Sequence, residues 1–240
     1  IGCFNFGDVT GGLAVGGIVG HSTGMVSSAW GGQYRIYSCH NEGKITNTGK
    51  VNNAFASAGG IAGYCQAGVV HGSYNTYPLT DESGNPQAGV LLASGATYRD
   101  IPLGGLVGNG GVVVNASYSY AYVASDVSTS AGALFGIVGT LEPTYSSYYV
   151  AGSIPSGFAD KYAPGKSDDA NYKKMDYTKV DGTKTAEVIK TAFGWANLSN
   201  PLIENDKNWV FTDGNLPTLS VRTLKERHEN VSDVPYEYDG

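Results

Sequence analysis

Basic charge is scarce in this sequence. Its 15 Lys and Arg are outnumbered by 21 Asp and Glu, leaving a net charge of −6, and no segment gathers the basic side chains into a stripe. Nucleic-acid binding needs such a stripe to displace counterions from phosphates, so that class is excluded. Long apolar runs are lacking too, since nothing approaches the roughly 18 residues that cross a bilayer as a helix. Cysteine occurs three times, at 3, 39 and 65, with no C-x-x-C. An odd, widely spaced set argues against a small disulfide framework. The three read either as small buried residues or as one bridge plus a thiol. His21, His40 and His71 lack metal-ligand spacing, so neither a metal nor a cofactor is expected.

What is abundant is glycine, and it is unevenly placed. Of 35 glycines, 28 precede residue 151, whereas residues 151–240 hold 25 of the 36 charged side chains. The composition therefore divides the chain into residues 1–157 and 158–240. Helical periodicity is almost missing before residue 183, where segments rich in Val, Ile and Tyr alternate with Gly, Asn and Ser.

The glycines mark a repeat. AVGGIVG at 14–20, SAGGIAG at 57–63 and PLGGLVG at 102–108 share one pattern, with a degenerate copy, AGALFG, at 131–136. A second element, C-x-N-x-G-x-[VI]-T, occurs at Cys3–Thr10 and Cys39–Thr46. Fixed glycines suit positive φ or close passage of backbone against backbone. Asn5 and Asn41 occupy equivalent places, where an amide bonds to backbone or to its counterpart in the next unit. Such units cannot bury a face alone and must stack. The expected fold is all-β, a parallel β-solenoid of Gly-rich repeats with a small C-terminal α+β cap. A two-sheet antiparallel arrangement is the alternative, because a period does not fix strand direction.

These motifs resemble the GLUG repeat, found in large bacterial surface proteins, among them Bacteroidetes adhesins, and as an accessory region of immunoglobulin-A-cleaving metallopeptidases. The resemblance covers about residues 1–150. It implies an extracellular or bacterial cell-surface protein and brings no catalytic centre, since H-E-x-x-H is absent and ERHEN at 226–230 has the wrong order. The chain departs from the pattern in a long insertion at 77–99. No G-G-[IL]-x-G copy precedes the first C-x-N strand, so further repeats or a capping domain are expected before Ile1, and Phe4, Phe6 and Val9 would lie exposed without them.

In the second zone, residues 159–174 read as a strap. Residues 185–197 carry Val188, Ile189, Ala192 and Phe193 on one helical face behind a Thr185 cap. NWVFTDG at 208–214 and LPTLSV at 216–221 read as two strands about an Asp-Gly turn. With Trp195 and Trp209 this helix and hairpin would close the end of the array.

The function expected is non-catalytic: a surface or secreted module for adhesion or glycan and host-protein binding, or a stalk. Tyr118, Tyr120 and Tyr122 alternate, as residues on one face of a strand do, and with Tyr148 they offer a ligand-binding aromatic platform if that face is outward. If it is inward they are core. The rival is a β-helix polysaccharide-degrading enzyme or an accessory domain of a secreted peptidase, which needs converging carboxylates; Asp8 and Glu42 are not equivalent, leaving Asp81 and Glu82 in the insertion.

GHSTG at 20–24 matches the G-x-S-x-G turn of serine hydrolases, yet Ser22 aligns with Cys65 and Gly110 in the following repeats and no helical pattern follows it. A nucleophile would not be one member of a repeated turn. Ser22 is therefore expected to resist a fluorophosphonate probe, and stoichiometric labelling read by peptide mass spectrometry would overturn this.

Overall fold

The computed structural model of the 240-residue chain describes residues 2–23, 34–125, 128, 130–138, 147–150, 153–160, 172–175 and 209–219. Short β-branched and aromatic segments between glycine and asparagine corners become strands. The first repeat contains β1 (Phe4–Asn5), β2 (Val9–Gly11), β3 (Ala14–Gly16) and β4 (Val19–Ser22), followed by β5 (Tyr34–Tyr37). The second contains β6 (His40–Asn41), β7 (Ile45–Asn47), β8 (Ser57–Gly59) and β9 (Ala62–His71). The third contains β10 (Tyr74–Thr76), β11 (Ala88–Leu92), β12 (Leu103–Gly104) and β13 (Val107–Asn115). The fourth contains β14 (Tyr118–Tyr120), β15 (Tyr122–Val123), β16 (Ala131–Gly132) and β17 (Phe135–Val138). Beyond these lie β18 (Ser147–Val150), β19 (Tyr172–Met175), β20 (Trp209–Val210) and β21 (Thr218–Leu219).

Each of these four repeats gives one strand to each of four sheets. The sheets run β1-β6-β10-β14-β18-β19, β2-β7-β11-β15, β3-β8-β12-β16 and β4-β9-β13-β17, with β5 also on β9. Pairing within them is parallel, which settles the direction that the period left open. The antiparallel strand pair among the described residues is β20 with β21. Equivalent residues stand opposite one another: Phe4 faces His40, Val9 faces Ile45, Ala62 faces Val19 and Val107, and Ser22 faces Cys65, which faces Gly110.

The glycines of G-G-[IL]-x-G make this stacking sterically feasible. A Cβ on Gly59 would lie 2.1 Å from the Ala62 carbonyl oxygen and 2.5 Å from the Gly108 nitrogen. One on Gly60 would meet the Gly105 carbonyl at 2.2 Å and the Asn75 amide at 2.3 Å. Backbone proximity, rather than positive φ, is what these two positions require. The following residue points into the core, where Ile61, Leu106 and Leu134 are fully buried and Ile18 packs on the same cluster. Burying an aliphatic side chain of that size contributes about 1.5–3 kcal/mol.

Against the second glycines runs an amide ladder. Asn5 donates from Nδ2 to Asn41 Oδ1 at 2.7 Å, and Asn41 donates to Asn75 Oδ1 at 2.8 Å. Asn75 then reaches Ser119 Oγ at 3.5 Å. Asn41 also donates to the Gly43 carbonyl at 2.7 Å and accepts from the Gly43 amide at 3.3 Å. Both of its donors and its acceptor are thus used, which a fully buried amide requires.

The opposite face of the same sheet is aromatic. Phe4, His40, Tyr74 and Tyr118 stack at centroid spacings of 5.5, 4.8 and 5.1 Å, with interplanar angles of 15°, 7° and 2°. The β20–β21 hairpin lies on this stack. Trp209 sits 6.0 Å from Tyr74 and 6.1 Å from Tyr118, and the Tyr118 hydroxyl donates to the Pro217 carbonyl. Trp209 and Leu219 thus join Tyr37, Tyr74 and Tyr118 in one cluster. The expected hairpin exists, but it packs across the flank of repeats two to four. The hairpin buries its own Trp209 and Leu219 against the aromatic ladder of the first sheet.

Three further expectations change. The 77–99 segment is only partly an insertion, because β11 within it takes the repeat position of β7, with Val90 opposite Ile45. Residues 172–174 of the expected strap belong to β19, paired in parallel with β18. Cys39 and Cys65 are buried, but Cys3 is exposed, because its strand has β6 on one side and no described strand on the other. The helix expected at 185–197, with Thr185, Val188, Ile189, Phe193 and Trp195, and the tail at 225–240 lie outside the described residues.

Asn41→Ala removes four hydrogen bonds and strands buried partners in two repeats. We expect it to lower unfolding free energy by on the order of 3 kcal/mol in urea denaturation, and a loss below about 1 kcal/mol would show that the ladder is not a stabilising element.

Candidate functional site

Loops between the second and third sheets enclose a cleft on another flank of the repeats. The connection from β7 to β8 supplies Asn52, Asn53, Ala54 and Ala56; the connection from β11 to β12 supplies Thr97, Tyr98, Arg99 and Asp100. Ile101 and Pro102, both buried, lie beneath, and Asn109 of β13 and Ile137 of β17 complete the wall. Its volume is about 390 Å³, within the ~300–1,000 Å³ range of small-molecule sites.

Local hydrogen bonds fix both loops. Gly49, at a φ of 60°, turns the chain, and its amide donates to Asn47 Oδ1 at 2.8 Å. Its carbonyl accepts from the Thr97 and Tyr98 amides at 3.0 and 2.9 Å, which joins one loop to the other. Lys50 Nζ donates to the Gly95 carbonyl at 2.6 Å. Within the first loop, Asn53 Oδ1 accepts from the Phe55 amide at 2.9 Å. Asn109 Nδ2 reaches the Ala54 carbonyl at 3.4 Å, tying that loop to the sheet.

The surface around the cleft combines rings with planar polar groups. Tyr98 and Ile137 are 38 and 40 % exposed. Along the fourth sheet His21, Tyr64, Asn109 and Ile137 stand in register, one from each repeat. At the head of this row, His21, Phe55 and Tyr64 form a triangle of rings with centroids 4.8–5.1 Å apart. Arg99 and Asp100 bring one charge of each sign. The chemistry on offer is stacking, amide hydrogen bonding and near-neutral charge.

The tyrosines singled out by alternation lie elsewhere and do not share one strand face. Tyr118 is 2 % exposed beneath the hairpin. Tyr120 and Tyr148 are partly buried against the same cluster, and burial pushes the Tyr148 hydroxyl up to about 12. Tyr122 opens β15 in a different sheet, 4.8 Å from the Phe158 ring. The cleft residues were not anticipated. The available signal was positional: Asn52-Asn53 and Tyr98-Arg99-Asp100 both lie in the connection leading to the glycine motif, and polar residues on loops held by a rigid scaffold are where binding concentrates.

Two of the carboxylates considered for catalysis, Asp8 and Asp81, have local partners. Asp8 Oδ1 accepts from the Lys44 amide at 2.8 Å. Asp81 accepts from the Asn85 and Ser83 amides at 2.8 and 2.9 Å and from Asn85 Nδ2 at 3.2 Å. Those bonds, led by the Asn85 amide, hold its carboxyl below the usual range. Ser22 is buried, and the Cys65 thiol is pushed up by burial against an opposing hydrogen bond with Ser22. Among the described residues, no group of three or more His, Cys, Asp or Glu side chains converges as a metal site, and no helix is long and apolar enough to cross a membrane.

No family model matches the chain, and no curated protein and no solved structure matches it.

His71, at the end of β9, is 2 % exposed, with its ring edge-on to Tyr37 at 5.5 Å. Burial lowers its pKa from 6.5 to about 4. Between those values the unfolded chain takes up a proton that the folded chain refuses. The contribution is complete above pH 6.5 and is lost as pH falls towards 4, by about 3 kcal/mol at most. Urea midpoints across this window should decline in the native chain, and His71→Gln should flatten that part of the profile.

Proposed function

We propose that the four parallel sheets are the faces of a β-solenoid of GLUG type, and that it acts as a non-catalytic adhesive module, extracellular or at a bacterial cell surface. Its ligand is a glycan held in the flank cleft. The observation that carries this reading is the cleft itself, with exposed Tyr98, the amides of Asn52, Asn53 and Asn109, and the Arg99–Asp100 pair around a buried floor. Sugar rings present apolar C–H faces to aromatic rings and hydroxyl edges to amides and charged groups, and the cleft offers both kinds of contact.

Stacked repeats support the same role, because each holds the loops of its neighbours at a fixed spacing. Asp100 is the single carboxylate among the residues lining the cleft, whereas glycoside hydrolysis in most families uses two. That favours retention of a sugar over its cleavage.

A glycan array probed with the 240-residue chain should return saccharide ligands. Tyr98→Ala and Arg99→Ala should each weaken binding at least about tenfold, equivalent to about 1.4 kcal/mol, with thermal stability unchanged. Tyr120→Ala should leave affinity intact. An array without ligands, or affinity insensitive to Tyr98 and Arg99, would remove the cleft from the function.

A further inference from the structure

We infer that Cys3 and Cys39 form a redox-sensitive pair that closes into a disulfide between the first and second repeats. The pairing of β1 with β6 sets Phe4 opposite His40 and Asn5 opposite Asn41, so the two cysteines immediately before them are equivalent neighbours. The His40 amide donates to the Cys3 carbonyl at 3.0 Å, carrying the parallel ladder up to the cysteines themselves. Adjacent parallel strands lie about 4.8 Å apart, within the ~4.4–6.8 Å Cα spacing that a disulfide spans. In-register parallel residues project to the same side, so the two side chains stand next to each other.

Their surroundings assign different roles. Cys3 is exposed and open to an oxidant. Cys39 is 1 % exposed, with Sγ 3.2 Å from the Tyr37 carbonyl, and burial raises its thiol above the ordinary range against a hydrogen bond from the Cys3 backbone. With a low-molecular-weight disulfide as oxidant, the Cys3 thiolate attacks one sulfur and releases one thiol. Cys39 then gives up its proton and displaces the second, forming the Cys3–Cys39 bond. Two protein thiols are oxidised, one small disulfide is reduced to two thiols, and atoms and electrons balance. Cys65 stands apart, opposite Ser22 and Gly110 in the fourth sheet.

The bridge fastens a weakly held edge. β1 pairs over two residues, and Phe4 beside the cysteine is 45 % exposed. Reduced, this strand is held by the ladder, the Asn5 amide and the stacking of Phe4 on His40; oxidised, it is covalently tied to β6.

The test is incubation of the 240-residue chain with oxidised glutathione, followed by thiol titration in denaturant and peptide mapping. The titre should fall from three to one, the intact mass should drop by two hydrogens, and one linked peptide should contain Cys3 and Cys39. Cys65→Ser should still close the bridge, and reduction should restore the thiols. Hydrogen exchange in residues 2–10 should slow on oxidation. A lasting glutathione adduct on Cys3, a dimer linked through Cys3, a linkage that includes Cys65, or an unchanged titre would each overturn the pairing.

Discussion

Contact of backbone with backbone between successive repeats is the constraint on which the other features rest. At Gly59 and Gly60 the neighbouring repeat occupies the space a side chain would need. Only glycine permits that approach, and once it is made the register between repeats cannot slide. Equivalent strand residues then meet one another. Asparagine bonds to asparagine, aromatic rings stack at intervals near the strand spacing, and Ile61 lies between equivalents from its neighbours. The amide ladder is a consequence of the register and also reinforces it, because a shifted Asn41 would lose partners in both directions.

The same stacking creates a problem on the outer face of the first sheet. A ladder of His40, Tyr74 and Tyr118 would be a continuous sticky strip if left open. The chain covers it with its own hairpin, and the Tyr118 hydroxyl finds the Pro217 carbonyl in the process. The aromatic residues most conspicuous in the sequence are thereby used for packing. The proposed binding chemistry falls to a flank where less conspicuous residues project.

There the division of labour between scaffold and loop is plain. The strands repeat, while the connections before the glycine motif differ in length and content from repeat to repeat. Gly49 joins two of these connections through its carbonyl, so the cleft is assembled from adjacent repeats and from no single one. Its loops are held by hydrogen bonds of their own, which would lower the ordering cost for the ligand we propose.

The sequence alone determined the repeat, its alignment and the residues that stack, because all of these are local periodicities repeated along one chain. The equivalence of Ser22 with Cys65 and Gly110, of Asn5 with Asn41, and of Ile18 with Ile61 follows from spacing, and the observed register agrees. Strand direction was not legible, since a period reads the same for parallel and antiparallel neighbours. Nor was β11 recognised within 77–99, because Ala88–Leu92 follows a turn-rich segment and lacks the threonine that marks β2 and β7. Which tyrosines are covered depended on Trp209 and Pro217, the latter 99 residues from Tyr118. The cleft depended on two loops meeting across repeats. Contacts between distant segments leave no period in the sequence, and so only the tertiary structure decided them.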